Sequence, residues 1–233
     1  MFDYGQIISY QEMCAEEKTN LQRGMNFRLH GNVSVILMSR RSNAPYSDRI
    51  ESDGKILIYE GHDVARNTSF VDPKLVDQPK TTASGRLTQN GLFFEAAQKY
   101  KRGEAPAEWV RVYEKIYQGI WVFNGIFRLI DAWQEHDGRR SVFKFKLEIV
   151  DAPETERGEK RDHFDLEHSR LIPSSVKLEV WRRDQGKCRI CGSTDNLHFD
   201  HILPFSKGGT SLVAENIQLL CARHNLQKGS KIE

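Results

Sequence analysis

Two short ligand pairs, Cys188-x-x-Cys191 and Cys221-x-x-His224, constrain this chain more than any other feature. Their spacing suits one tetrahedral zinc ion held by three thiolates and an imidazole. The residues between the pairs must then fold around that ion. They include Asp200-His201, Pro204, Gly208-Gly209 and Asn216, and Asn225 follows the last ligand directly. That is the wrong composition for a knuckle that only holds structure. A different assignment gives His224 to a second metal and leaves the zinc one ligand short.

The remaining composition is ordinary and excludes little. A chain of 233 residues holds one large domain or two smaller ones. Three of the four cysteines fall in the motif, so no disulfide framework is expected, and Cys14 is left over. No apolar run is long enough to span a bilayer, so no membrane partner is expected. The first residues, MFDYGQIISYQEM, lack the basic-then-apolar order of a secretory signal, and a cytoplasmic location is expected. A formal charge of +2 says little about nucleic acid, so any such reading must rest on motifs.

Residues 151–170, DAPETERGEKRDHFDLEHSR, are almost wholly charged or polar. They mark a linker, taken as 151–173, between a region 1–150 and a region 174–233. The first region reads mostly as β. Val33–Met38 and Ile56–Tyr59 are strand-like, the second opened by the turn signal Asp53-Gly54. Leu92, Phe93, Ala96, Ala97 and Tyr100 fall at helical spacing, with Gly103 as the stop. Residues 109–116 alternate, and 125–133 with 142–150 predict a hairpin about Asp137-Gly138. On its second strand Phe143, Phe145, Leu147 and Ile149 share one face, and Lys144, Lys146 and Glu148 the other. The expected class is α+β, with a curved sheet or partial barrel flanked by one or two helices. In the second region Ser174 or Ser175 is expected to cap a helix from Val176 to Arg183. Residues 198–202 read as a strand, and residues 215–220 and those after His224 as short helical pieces.

The order CxxC, Asp-His, Pro, Gly-Gly, Asn, CxxH-Asn, Lys resembles the HNH nucleases, which have the ββα-metal fold. The resemblance implies a zinc-containing nuclease domain over 174–233. Cys188, Cys191, Cys221 and His224 would hold a structural Zn²⁺. His201 would be the general base, since an imidazole titrates near working pH. Asp200, on the opposite face of the same strand, and Asn225 would hold a catalytic Mg²⁺ or Mn²⁺, with Co²⁺ or Ni²⁺ as alternatives. Asn216 matches the family's middle Asn, which holds the loop that orients the catalytic histidine. Lys207, Arg223 and Lys228 would meet phosphate. His198 shares a face with Asp200, and a structural role is at least as apt for it as contact with metal or phosphate.

Region 1–150 resembles the SRA domain, which flips a modified cytosine out of DNA. The matching segments are His30-Gly31, VSVILMS, Tyr46-Ser47-Asp48, Asp53-Gly54, Ile58-Tyr59-Glu60-Gly61-His62, LTQNGLFFEAA, and VFNGIFRLIDAW with FKFKLEIV. The resemblance implies that Tyr46 and Tyr59 stack on the flipped base and that Asp48 accepts from its amino group, with Asp53 as fallback. Asp48 stands two residues after Tyr46, where the eukaryotic pattern has three. The segment 63–84 corresponds to a loop that reaches into the duplex, and Arg66, Asn67, Lys74, Lys80 and Arg86 would touch phosphates or fill the gap. Read without the resemblance, Tyr46 and Tyr59 are ordinary sheet tyrosines.

Together these imply a prokaryotic modification-dependent restriction endonuclease. Its partner would be double-stranded DNA carrying 5-methylcytosine or 5-hydroxymethylcytosine. A homodimer is expected, since one site cuts one strand, and the linker would set the distance from modified base to cut. Two alternatives stay open: an HNH nickase or junction-type nuclease indifferent to modification, and a non-catalytic reader of modified DNA.

Overall fold

The structure, a computed structural model, describes residues 1–30, 33–40, 44, 46–51, 54–64, 72–150, 171–204 and 207–229. Asp53, Arg66, Asn67 and nearly all of the expected linker lie outside them. The described chain is α+β. Its larger part is a sheet of β1 (Ile7–Ile8), β2 (Met25–Leu29), β3 (Val33–Met38), β4 (Arg49–Glu51), β5 (Ile56–Glu60), β6 (Glu108–Tyr117), β7 (Ile120–His136) and β8 (Ser141–Ile149), with helices α1 (Tyr10–Glu16) and α2 (Gln89–Lys101). The strand order is β2-β3-β6-β7-β8-β5-β4, with β1 also on β7. The path ends at β2 and β4, so the described strands form an open sheet and not a closed barrel. Only β3 and β6 run parallel.

The long β7 carries Gly125 at φ +95°, where its register against β6 shifts. It carries β6 on one edge and shares the other edge between two strands, β8 from Phe127 onward and β1 at Trp121 and Val122. The expected face of β8 packs as read, with Phe143, Phe145, Leu147 and Ile149 in one core with Phe93 and Ala97 of α2. The Thr88 hydroxyl caps α2 by accepting from Gly91 N, and Gly103, at φ +72°, follows its end. The opposite face of β8 is not simply solvated. Lys144 is buried against Glu60, with Nζ 2.8 Å from Oε2. Beside it Arg140 is buried as well, 2.5 Å from Asp63 Oδ1.

The smaller part comprises α3 (Ser174–Arg183), a hairpin of β9 (Leu197–His201) and β10 (Ile217–Cys221), and α4 (Ala222–Lys228). The expected helical piece at 215–220 is instead a 3-10 turn, Ala214–Asn216, running into β10. All five residues of β10 are buried. Buried backbone groups must be paired, and the register Ile217↔His201 to Cys221↔Leu197 pairs them with β9. Neither Ser174 nor Ser175 caps α3. Pro173 occupies the cap position, and the Ser174 hydroxyl donates to Glu114 on β6.

Leu171 and Ile172, which the sequence placed at the end of the linker, are fully buried, and Leu171 N donates to Gly54 O at 2.9 Å. The two parts share an apolar cluster, in which Ile116 and Val122 of the sheet meet Val176, Val180, Leu197, Phe199 and Leu219. At its edge Lys177 Nζ lies 2.6 Å from Glu114 Oε2 and donates to Asn124 Oδ1 at 2.7 Å, while Asn124 Nδ2 donates to Glu114. Burial alone would raise the Glu114 carboxyl. The Lys177 charge and the bonds from Asn124, Lys177 and Ser174 outweigh it and hold the acid below its ordinary range. The pair's contribution is therefore present at neutral pH and lost on acidification through the carboxylate range. Lys177→Met leaves a buried carboxylate without its cation and is expected to cost about 3–5 kcal/mol. Urea unfolding at pH 7 measures this, and a loss under 1 kcal/mol contradicts it.

Candidate functional site

Four ligand atoms converge from three pieces of chain. Cys188 and Cys191 sit on a knuckle after α3, Cys221 ends β10, and His224 stands in the first turn of α4. The knuckle is tied down by backbone bonds from Cys188 N to Ser193 O and from Arg189 N to Leu219 O. Cys188 Sγ and Cys221 Sγ lie 3.4 and 3.3 Å from His224 Nδ1, and Cys191 Sγ is 3.8 Å from Cys221 Sγ. All four ligand atoms fall within 4.8 Å of one another. A zinc ion about 2.3 Å from sulfur and about 2.0–2.1 Å from nitrogen gives tetrahedral edges of roughly 3.5–3.8 Å. The cluster fits that ion, and it uses Nδ1 of His224. Burial would raise the Cys188 thiol, but the Cys191, Cys221 and Ile190 amides and His224 outweigh it and bring it to about 6, which favours the thiolate a metal needs.

His201 and Asp200 end β9 and point to opposite faces, as alternation requires. The His201 ring is buried and its Nε2 lies 2.8 Å from Ser211 Oγ. Asp200 faces α4. Its Oδ2 is 2.9 Å from Lys228 Nζ and 3.4 Å from Gln218 Nε2. Lys228 Nζ also donates to the His201 carbonyl at 2.6 Å. Expected to reach phosphate, Lys228 instead has a side chain 1% exposed inside the fold. Asn225, one turn earlier, shares its side of α4. A carboxylate and an amide oxygen are hard donors that suit a divalent cation such as Mg²⁺ or Mn²⁺. Lys207 and Arg223 are exposed.

Asn216 clamps the loop after His201. Its Oδ1 accepts from Leu203 N at 2.8 Å, and its Nδ2 donates to Leu203 O and Thr210 O at 3.0 and 2.9 Å. The clamp brings Ser211, the residue after Thr210, onto the imidazole. The two glycines have separate reasons. Gly208 has φ +87°, and a Cβ on Gly209 would lie 1.8 Å from Leu203 O. His198 is buried against Asn196 O, and its Nε2 has no hydrogen-bond partner among the described residues.

On the larger sheet a cleft of about 340 Å³ is lined by Tyr46, Asp48, Tyr59 and His62, with Arg23, Gly24 and Ser39 among its other walls. Tyr46 stacks on His62 at 5.4 Å between centroids and 18° between planes, and Lys74 Nζ lies 4.3 Å over the Tyr46 ring. The Tyr59 hydroxyl is 3.1 Å from His62 Nε2. A Cβ on Gly24 would sit 2.7 Å from that same nitrogen, so any larger residue there would have to displace the His62 or Tyr59 side chain. Burial pulls the His62 imidazolium down to about 4, so the ring is neutral at pH 7. Burial pushes the Asp48 carboxyl up to about 7, against the Glu60 amide that donates to it. Tyr46, Asp48 and Tyr59 share this cleft with His62, to which the sequence reading gave no role although it lies in the quoted segment. Ser211 carries no signal at all, being one hydroxyl in a loop. Lys80 and Arg86 lie on an exposed turn away from these walls, with Lys80 paired to Glu95 at 2.7 Å.

Residues 188–231 match the HNH endonuclease family model. Comparison with curated proteins finds no match. Among solved structures the chain is similar to the SUVH5 SRA domain in complex with hemi-methylated CG DNA, with 24% identity over 65% of this chain and 87% of that one and a TM-score of 0.43. It is also similar to the SUVH5 SRA bound to fully hydroxymethylated CG DNA, with 20% identity over 65% and 87% and a TM-score of 0.41. A third is Arabidopsis thaliana SUVH6, with 20% identity over 66% of this chain and 27% of that one and a TM-score of 0.42.

Two outcomes are expected. Removing zinc with a strong chelator should unfold the β9–β10–α4 unit, because binding of a structural zinc is coupled to folding; circular dichroism and loss of hairpin amide protection report it. For Asp48, a folded value raised above the unfolded one means that stability falls as pH rises from about 4 to 7. Asp48→Asn should therefore be stabilised over wild type by about 2–4 kcal/mol at pH 8 and by little at pH 4. Equal gains at both pH values in thermal unfolding would show that the carboxyl is not perturbed. The C-terminal part of the chain, with its zinc-fitting cluster, is thus similar to HNH endonucleases, and it adjoins a sheet similar to SRA domains.

Proposed function

We propose that this protein is a DNA endonuclease that takes 5-methylcytosine or 5-hydroxymethylcytosine, flipped from the duplex, into the Tyr46–Asp48–Tyr59–His62 cleft and hydrolyses a phosphodiester nearby at His201. The observation that carries the nuclease part is the clamp, by which Asn216 fixes the loop that sets Ser211 on His201, inside the segment that matches the HNH family. The cleft supports the reading part. It offers aromatic faces, a carboxyl group and a neutral imidazole, the groups that stack on a base and read its Watson–Crick edge.

In this reading His201 takes the proton of the attacking water. Ser211 holds the ring, and Asn216 holds the loop that carries Ser211 through Leu203 and Thr210. Asp200 and Asn225 would hold a Mg²⁺ or Mn²⁺ ion, which when bound supplies charge stabilisation at the scissile phosphate. Lys228 keeps the Asp200 carboxylate and the His201 backbone in one place. Lys207 and Arg223 contact phosphate on the hairpin side, and Lys80 and Arg86 on the sheet side. A double-strand break then takes two copies of the chain, one site per strand.

Digestion of one duplex in three versions, with cytosine, 5-methylcytosine or 5-hydroxymethylcytosine, tests both parts. Cleavage with Mg²⁺ or Mn²⁺ should be confined to the modified versions. His201→Ala should lose at least about 100-fold in cutting rate while still binding the modified duplex. Tyr46→Ala should reduce the preference for modified over plain DNA at least about tenfold. Equal cutting of all three duplexes favours the modification-indifferent nuclease instead, and no cutting with any divalent ion favours the reader.

A further inference from the structure

We propose that a rigid joint between the sheet and the HNH hairpin, made by residues 5–8 and the Glu114–Lys177 pair, sets the distance from modified base to cut, in place of the reach of residues 151–170. The proposal rests on the function just given and reverses the expectation that a linker measures that distance.

The joint has two independent halves. The first is a strap near the start of the chain. Gly5 N donates to Phe123 O at 2.9 Å, and Phe123 N donates to Gln6 O at 3.0 Å, on the sheet. From the other side Phe199 N of β9 donates to Gly5 O at 3.0 Å, and Gln6 bridges His198. Ile7 and Ile8 then continue on Val122 and Trp121. One short run of backbone is thus hydrogen-bonded to both parts. Gly5 has φ +75°, and a Cβ there would lie 2.9 Å from Phe199 O, so any side chain forces β9 away.

The second half is the buried quartet of Glu114 and Asn124 from the sheet with Ser174 and Lys177 from α3. These bonds fix the register at which α3 docks on the sheet, because a shifted docking would leave a charge buried without its partner. The quartet also lies next to the base cleft. Leu37 and Ser39 line that cleft, and Met38 between them is the register partner of Glu114. Asn124 Nδ2 is 3.6 Å from Met38 Sδ. A single strand pairing separates the wall that would hold the base from the contact that holds the nuclease unit.

The magnitudes separate the two models. A flexible tether of about 20 residues has a root-mean-square reach of roughly 25 Å. That is about seven base-pair steps at about 3.4 Å each, so a tethered nuclease would scatter its cuts. A docked one would cut at one or two positions.

The test maps cut positions at nucleotide resolution on a duplex with one modified cytosine, using the full chain. Wild type, and a variant with ten Gly/Ser residues inserted after residue 160, should cut at the same one or two positions. Gly5→Val and Lys177→Met should each spread the cuts over several base pairs, with affinity for modified DNA within about twofold of wild type. Lys177→Arg should keep the wild-type position. Small-angle scattering supplies the readout that does not need activity: the insertion variant should match wild type in domain separation, and the joint variants should be more extended, Gly5→Val sufficing if Lys177→Met does not fold. Cuts that move with the inserted length, scattered cuts by wild type, or joint variants as compact as wild type overturn the proposal. Failure of every duplex to be cut by wild type overturns instead the nuclease reading on which it rests.

Discussion

The convergence of three thiolates and an imidazole on one point governs the smaller half of this molecule. A knuckle, the end of a strand and the first turn of a helix each contribute to it, so a single ion held there would fix the angle of α4 against the β9–β10 hairpin. Small domains bury little apolar surface and often need a metal to hold such an angle. The angle has a consequence one turn along α4. Lys228 arrives at Asp200 and at the His201 carbonyl, so the two residues that carry the proposed chemistry are gripped from the side opposite the Asn216 clamp.

Buried ion pairs mark the places where separate pieces of chain meet. Lys228 and Asp200 join α4 to the hairpin, Lys177 and Glu114 join α3 to the sheet, and Lys144 and Glu60 lie beneath the cleft. Such pairs contribute little net stability compared with apolar packing of equal volume. They are costly to misalign, however, because a shift leaves a charge in an apolar setting without its partner. In this protein they act as pins of position, each beside residues proposed to bind or cut.

The elements that the sequence revealed most clearly were those with a strict period or an unmistakable stop. Strand β8 and helix α2 fall where alternation and helical spacing put them, and β3 and β5 where short apolar runs put them. The strand β10 was misread as helical, because Glu215, Asn216 and Gln218 break the apolar run there, although all five residues of the strand are buried. Strands β1, β2 and β4 went unseen, being short or irregular and held by neighbours far away in sequence. Ser174 was read as a cap because it precedes a helix, but its hydroxyl found a carboxylate on another element. Lys228 was read as a phosphate contact because lysine is normally exposed; only the packing of α4 puts its charge inside.

The amino-acid order alone set out the two ligand pairs, the Asp-His dipeptide and the glycine pair, since each depends on residue type at short spacing. Where the ligands pointed, which hydroxyl met His201, and how one half was fastened to the other were decided in three dimensions. Ser211 and His201 are brought together by a loop clamp, Glu114 and Lys177 by the docking of whole elements, and Gly5 is required by the backbone of a strand nearly two hundred residues away. Local spacing encodes what a residue can do, whereas contacts between distant segments exist only once the apolar faces that bring them together have been buried.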